Sequence, residues 1–148
     1  MKIREAVEDD LKELSLLFDA YRVFYRQSSN IEGARDFIKD RLTFQDSKIF
    51  VAEEQDTLLG FVQLYPRFSS TQLKRTWLLN DLFVSPEARG KQLGVRLIER
   101  AKVLAVTTNS VGLMLETEKS NTIGNNLYPK TDFILDKLHN FYYWEFKK

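Results

Sequence analysis

The sequence predicts one α/β or α+β domain over residues 1–148, with the element order β-α-α-β-β-β-α-β-α-β. Three observations carry this. Segments with apolar residues at helical spacing alternate along the chain with short β-rich runs. Two of those runs, "KIFVAEE" and "LLGFVQLYP", flank the polar "QDT", the signature of a hairpin. A length of 148 residues, 43% hydrophobic and 29% charged, suits a single folded core.

"KIREAV" forms the first strand. Leu11, Leu14, Leu17, Phe18, Tyr21, Phe24 and Tyr25 then recur at helical spacing. Asp10, with Glu13 three residues on, resembles a capping box at the start of that helix. "IEGARDFIKDRL" is a second, shorter helix. The hairpin follows: Pro66 ends its second strand and "RFSSTQLKR" is a loop. "TWLLNDLFV" is the next strand, stopped at Ser85-Pro86. A helix returns through Leu93, Leu97, Ile98, Ala101, Leu104 and Ala105. "SVGLMLETE" is a strand, "NTIGNNLYPK" a short helix or turn stopped by Pro129, and "NFYYWEF" a closing aromatic strand.

Composition removes several functional classes. A formal charge of +1 lacks the basic footprint of a general nucleic-acid binder. The absence of cysteine excludes a disulfide framework, a thiolate nucleophile and a Cys-ligated zinc. A lone histidine, His139, excludes a multi-His metal site, so no metal is expected. "MKIREAVEDDLKEL" has no apolar core of signal-peptide length, and no run approaches the ~18 apolar residues of a membrane span. A soluble, cytoplasmic protein without a membrane partner is the expectation.

The stretch "DLFVSPEARGKQLGVRLIERA" is the most informative. A strand feeds a basic, glycine-containing loop that opens directly into a helix. Helix N-termini leave backbone N–H groups unpaired and concentrate partial positive charge, which favours a phosphate. Arg89 and Lys91 add full charges, and Gly90 and Gly94 let the backbone come close to a ligand. The same residues also suit a solvated surface loop. Neither the P-loop pattern nor Gly-x-Gly-x-x-Gly is present.

"LFVSPEARGKQLGVRLIERA" resembles the acetyl-coenzyme A motif of the GNAT N-acetyltransferase superfamily, Arg/Gln-x-x-Gly-x-Gly/Ala on a strand and helix. Arg89 fills the first position and Gly94 the last, with Gln92 where a glycine is usual. "NTIGNNLY" is similar to the family's Asn-x-x-Ala-x-x-x-Tyr, with Asn121 and Tyr128 in register and Gly124 in place of alanine. "KTDF" resembles Lys-x-Gly-Phe, with Asp132 in place of glycine. The resemblance covers essentially the whole chain. It implies a mixed, mostly antiparallel sheet flanked by helices, with the fourth and fifth strands splayed.

It also implies site residues. The main chain of Leu82, Phe83 and Val84 would hold the pantetheine arm by strand addition. The N–H groups of Arg89, Gly90, Lys91, Gln92, Leu93, Gly94 and Val95 would hold the pyrophosphate. Asn121 would contact the coenzyme or fix the end of the fifth strand, and it also suits a helix cap. Tyr128 would be the general acid toward the departing thiolate; it also suits simple packing. An amine acceptor must lose a proton before attack, and Asp81, Asn80, Glu116 and Glu118 are candidates to relay it, with Asp81 preferred. Asp19, Tyr21 and Tyr25 would line an aromatic, acidic acceptor pocket, or be core.

The implied activity is direct transfer of acetyl from acetyl-coenzyme A to a primary amine of a small molecule or protein. The alternative is a noncatalytic acyl-coenzyme A-binding or sensing domain; a structural domain without coenzyme would make both motifs accidental. The aromatic C-terminal strand offers an edge of the kind that is usually covered, and a homodimer is expected.

Overall fold

Five strands lie side by side in chain order in the unit Met1–Glu116. The structure, a computed structural model, describes residues 1–147; Lys148, the last residue of the expected domain, lies outside them. A second, smaller unit begins at Thr117. β1 (Lys2–Glu5), β2 (Lys48–Glu54), β3 (Thr57–Ser69) and β4 (Lys74–Val84) pair antiparallel. β5 (Leu113–Met114) joins β4 in parallel. The sheet is therefore mixed and mostly antiparallel, as the resemblance implied.

Helices cover both faces. Leu14, Leu17 and Phe18 of α1 (Leu11–Phe24) and Ala34 and Ile38 of α2 (Ile31–Phe44) pack with Ile49, Val51, Phe61 and Phe83 of the sheet. The intervening residues Phe50, Val62 and Leu64 point to the other face and are equally buried. There α3 (Leu93–Thr107) buries Leu97, Ile98 and Ala101, and the Arg100 guanidinium lies 4.0 Å from the centre of the Phe50 ring. A sheet covered on both faces needs apolar side chains at consecutive positions. That is why "IFVA" and "FVQL" read as nearly unbroken apolar runs.

One irregularity positions the site. Gln63 of β3 faces Asp81 of β4, but the next residue, Leu64, faces Leu79, so Asn80 is an extra residue with no partner in the register. Trp77, Leu79, Asp81 and Phe83 are two apart and would share one face of a regular strand. The bulge at Asn80 separates them: Trp77 and Leu79 face α3, while Asp81 and Phe83 turn toward α1.

Several sequence expectations are corrected. β3 runs through Pro66 to Ser69, and β4 begins at Lys74, so the expected loop shortens to a turn. Beyond Leu64, β2 has ended and β3 has an open side, where a residue without an N–H is tolerated. The capping box does not form. Asp10 instead accepts hydrogen bonds from both terminal nitrogens of Arg4, each at 2.7 Å, and Glu13 accepts the Leu58 N–H at 2.9 Å. The fifth strand is confined to Leu113–Met114. Residues 140–146 form no strand within the chain, because a strand exists only through a partner and the described segment has none in its own sheet.

In the second unit, α4 (Thr122–Lys130) takes Pro129 into its last turn. The Asn121 side chain caps it by accepting the Gly124 N–H at 3.1 Å, and donates to Thr117 Oγ1 at 2.9 Å.

Candidate active site

Asp81 sits where the bulge turns it, 4% exposed, in a chain of buried polar groups. Ser47 Oγ donates to Gln63 Oε1 at 2.9 Å, and Gln63 Nε2 donates to Asp81 Oδ2 at 2.8 Å. Asn80 Nδ2 donates to the other carboxylate oxygen at 3.0 Å. Burial pushes the Asp81 carboxyl above its ordinary range; hydrogen bonds from Gln63, Tyr21 and Asn80 oppose that shift without cancelling it. A buried carboxylate with raised basicity is suited to accept a proton.

Aromatic residues stand around it. Tyr21 packs edge-on against Phe61 and Phe83, and its hydroxyl lies 3.5 Å from the Asn80 carbonyl oxygen. Tyr25 meets the Tyr21 ring edge-on at 5.0 Å. Tyr65 is half-buried, and its phenol is pushed far up, first by burial and then by the charge of Asp81. Asp19 has a different setting. Its carboxylate accepts from Ser29 Oγ at 2.6 Å, from the Asn30 N–H at 2.8 Å and from Arg22 at 3.2 Å, which fixes the connection between α1 and α2. Burial would raise its pKa, but those hydrogen bonds outweigh it and hold the group below the usual range.

The residues expected to hold an anion lie at the other end of β4. Pairing of β4 with β5 stops at Leu78 and Met114, while β4 continues six residues further, to Val84. Along Leu82, Phe83 and Val84, alternate main-chain groups are directed away from β3. The chain then makes a 3-10 turn at Pro86–Ala88 and opens α3. The first hydrogen bond of that helix runs from the Arg96 N–H to the Gln92 carbonyl, which leaves the N–H groups of Leu93, Gly94 and Val95 at the helix mouth. Arg89 is exposed, and Lys91 pairs with Glu54 at 2.9 Å.

Gly90 and Gln92 both have left-handed backbones, with φ of 82° and 58°. The usual glycine at the position of Gln92 thus has a physical reason: only glycine adopts that conformation without a Cβ penalty. Gln92→Gly should stabilise the fold by about 1 kcal/mol, read as a higher midpoint in urea at unchanged slope.

Asn121 and Tyr128 lie in the second unit, linked by Gly124. A Cβ on Gly124 would stand 2.6 Å from Asn121 Nδ2 and 3.1 Å from Tyr128 Cε2. The motif's small residue keeps room for both side chains. The Tyr128 ring packs edge-on with Phe133 at 5.8 Å. His139 is exposed and pairs with Asp136 at 2.7 Å.

The sequence profile of the acetyltransferase (GNAT) family matches residues 14–133. The chain belongs to this family, and acetyl transfer is the class of chemistry it carries. The uncharacterized N-acetyltransferase YhfO of Bacillus subtilis is 44% identical over 133 residues, 90% of this chain and 89% of the relative. A probable acetyltransferase of Haemophilus influenzae is 38% identical over 117 residues, 78% of this chain and 80% of the relative. The crystal structure of a probable acetyltransferase, 37% identical, superimposes with a TM-score of 0.93 over 100% of this chain and 99% of that one.

Sequence reasoning missed Gln63, Ser47 and Tyr65. Gln63 did leave a signal, a polar residue inside "GFVQLY" whose neighbours Val62 and Leu64 are wholly buried. The consecutive polar Asn80-Asp81 interrupts an apolar strand where the bulge lies. Among the described residues, no group of His, Cys, Asp and Glu is arranged to hold a metal, and no helix is long and apolar enough to cross a membrane.

Proposed function

We propose that the protein transfers acetyl from acetyl-coenzyme A directly to a primary amine of a small molecule or protein, with Asp81 as general base and Tyr128 as general acid. The observation that carries this reading is the buried, hydrogen-bonded Asp81 carboxyl with raised pKa at the β4 bulge. A lysine-like ammonium has a pKa of ~10.4, so attack requires a group that takes its proton. Asp81 would do so, and Tyr21, Tyr25 and Tyr65 would offer aromatic faces to the cationic acceptor. Asp19, already occupied by Ser29, Asn30 and Arg22, would act by holding the helix connection.

The residues fit the coenzyme. The N–H groups at the mouth of α3 and the loop from Arg89 would hold the pyrophosphate, and the outward main chain of Leu82, Phe83 and Val84 would hold pantetheine. Asn121 would fix the start of α4. When bound, the coenzyme supplies the activated acetyl thioester. Tyr128 would hydrogen-bond or protonate the departing sulfur, a role supported by its register in "NTIGNNLY". The chain has no cysteine, which supports transfer without an acetyl-thiol enzyme intermediate.

The test is release of free thiol from acetyl-coenzyme A in the presence of a panel of amines. Two variants check the coenzyme seat by calorimetry. Arg89→Glu puts an anion against the phosphates, and Gly94→Pro removes an N–H; each should weaken binding at least tenfold, or ~1.4 kcal/mol. Unchanged affinity in folded variants would show the seat to be misplaced. Gln92→Gly should leave affinity within about twofold, since the contacts belong to the backbone.

A further inference from the structure

We propose that the acceptor is an ω-amino carboxylate, an amine with a carboxylate at the far end of an extended chain, bound with its amine at Asp81 and its carboxylate at Arg67 and Arg41. The proposal rests on Asp81 being the amine's end of the site, and it names the class of acceptor that the rest of that sheet face suits. Asp81, Tyr65 and Arg67 stand in a row there. Asp81 pairs with Gln63, Leu78 with Tyr65 and Thr76 with Arg67. Paired residues put their side chains on the same face. Leu78 points away from α3, because its neighbours Trp77 and Leu79 point toward it. Tyr65 and Arg67 therefore share the face of Asp81.

Opposite charges occupy the two ends of the row. Arg67 is four residues beyond Gln63 on β3, about 13 Å at ~3.3 Å per residue. Its Nη1 donates to Met114 Sδ at 2.8 Å, and Met114 stands opposite Leu78, on the Asp81 side of Thr76. The guanidinium thus leans toward the Asp81 end over half-buried Leu78 and Met114. Among the described residues it has no acidic partner, and the sequence from Thr57 to Asn80 contains no Asp or Glu. Arg41 approaches from α2. Asp46 accepts from its Nε at 2.7 Å, and its guanidinium lies 4.7 Å from the centre of the Phe37 ring. The Tyr65 phenol feels the charges of Asp81, Arg41 and Asp46, so Arg41 borders the same row.

A carboxylate at one end and guanidinium groups at the other match a ligand of the reverse polarity. Guanidinium groups take a carboxylate through paired N–H donors, and an apolar floor strengthens that attraction relative to open water. Asp46 offsets one of the two arginines, leaving a single positive charge, which a carboxylate balances and a phosphate dianion exceeds. A diamine would set its second cation against the arginines. An α-amino acid is too short to engage both ends at once.

The test compares thiol release with ε-aminocaproate, hexylamine and hexamethylenediamine, which share a chain length and differ at the far end. ε-Aminocaproate should exceed hexylamine in kcat/KM by at least ~10-fold, the scale of one hydrogen bond to a charged group, with the difference in KM. Hexamethylenediamine should be the poorest of the three. Arg67→Met should bring the ratio of ε-aminocaproate to hexylamine down to about one, and Arg67→Lys should keep part of it. Arg67 is exposed, so both variants should fold. Caproate, which has no amine to acetylate, reads the acid end alone: it should shift the Arg67 and Arg41 Nε–H resonances saturably, and hexylamine should not. Equal kcat/KM for the three amines would overturn the proposal, as would preference for the diamine or a preference that survives Arg67→Met. A wild type that acetylates no amine would instead remove amine transfer itself. The acid end is then judged by caproate, and unshifted arginine resonances would overturn it as well.

Discussion

Asp81→Asn should lower turnover with the best amine by about 100- to 10,000-fold, the usual contribution of a positioned general base. The folded protein should lose no stability at pH 8. The two expectations share a cause. The carboxyl has a raised pKa in the folded chain because burial disfavours its charge. A raised folded pKa means that the favourable contribution is present below the unfolded value and is lost as pH rises through the folded one. Above its folded pKa the wild type therefore holds an ionised group that its surroundings disfavour, and the neutral amide relieves it.

The hydrogen bonds can be kept. The Gln63 amide can turn over, accept from the new amide and donate to Ser47, whose hydroxyl works in either sense. The melting temperature of Asp81→Asn should equal or exceed that of the wild type at pH 8. The difference should shrink toward pH 4. The acid limb of the wild-type rate profile should follow the same ionisation. A variant that loses its activity together with several degrees of stability would point to a structural carboxylate and remove Asp81 from the chemistry.

What could be read in the sequence divides along physical lines. The helices were legible because apolar spacing is local and α1, α2 and α3 bury the residues it marks, such as Leu14, Ile38 and Leu97. The turn into α3 was legible because its signals fall on a few consecutive residues: two cations, a helix start and backbone conformations that suit glycine. Long-range features were not. The face on which Asp81 lies depends on the register between β3 and β4, and simple alternation would have assigned it to the side of Leu79. Ser47 and Gln63 belong to different strands, so their hydrogen bond has no sequence signature. The closing strand was read from composition, which reports that Phe141 to Phe146 prefer burial but not what would bury them. Asp19 shows the same limit: an acidic residue beside tyrosines suggests a cation pocket, and its bonds to Ser29, Asn30 and Arg22 have no signature in the sequence.

Tyr128→Phe separates an acetyltransferase from a domain that only binds the coenzyme. The substitution keeps the ring, its edge-on contact with Phe133 and its fit beside Gly124, and removes only the hydroxyl. If that hydroxyl serves the departing thiolate, turnover should fall at least tenfold, toward the ~100- to 10,000-fold of full general acid catalysis. Affinity for the coenzyme should move by less than about twofold, because the contacts proposed for it are backbone groups and loop cations. The loss should therefore lie in kcat, with KM for the acetyl donor nearly constant. A thioester whose leaving thiol has a lower pKa needs less help from an acid, so the deficit of Tyr128→Phe should narrow when such a donor replaces acetyl-coenzyme A. Asp81→Asn should show no such narrowing, since its task lies on the amine. Equal rates for Tyr128→Phe and wild type would leave departure of the thiolate to another group. A wild type that binds acetyl-coenzyme A tightly and acetylates no amine would make the chain a sensor, with Tyr128 a packing residue of α4.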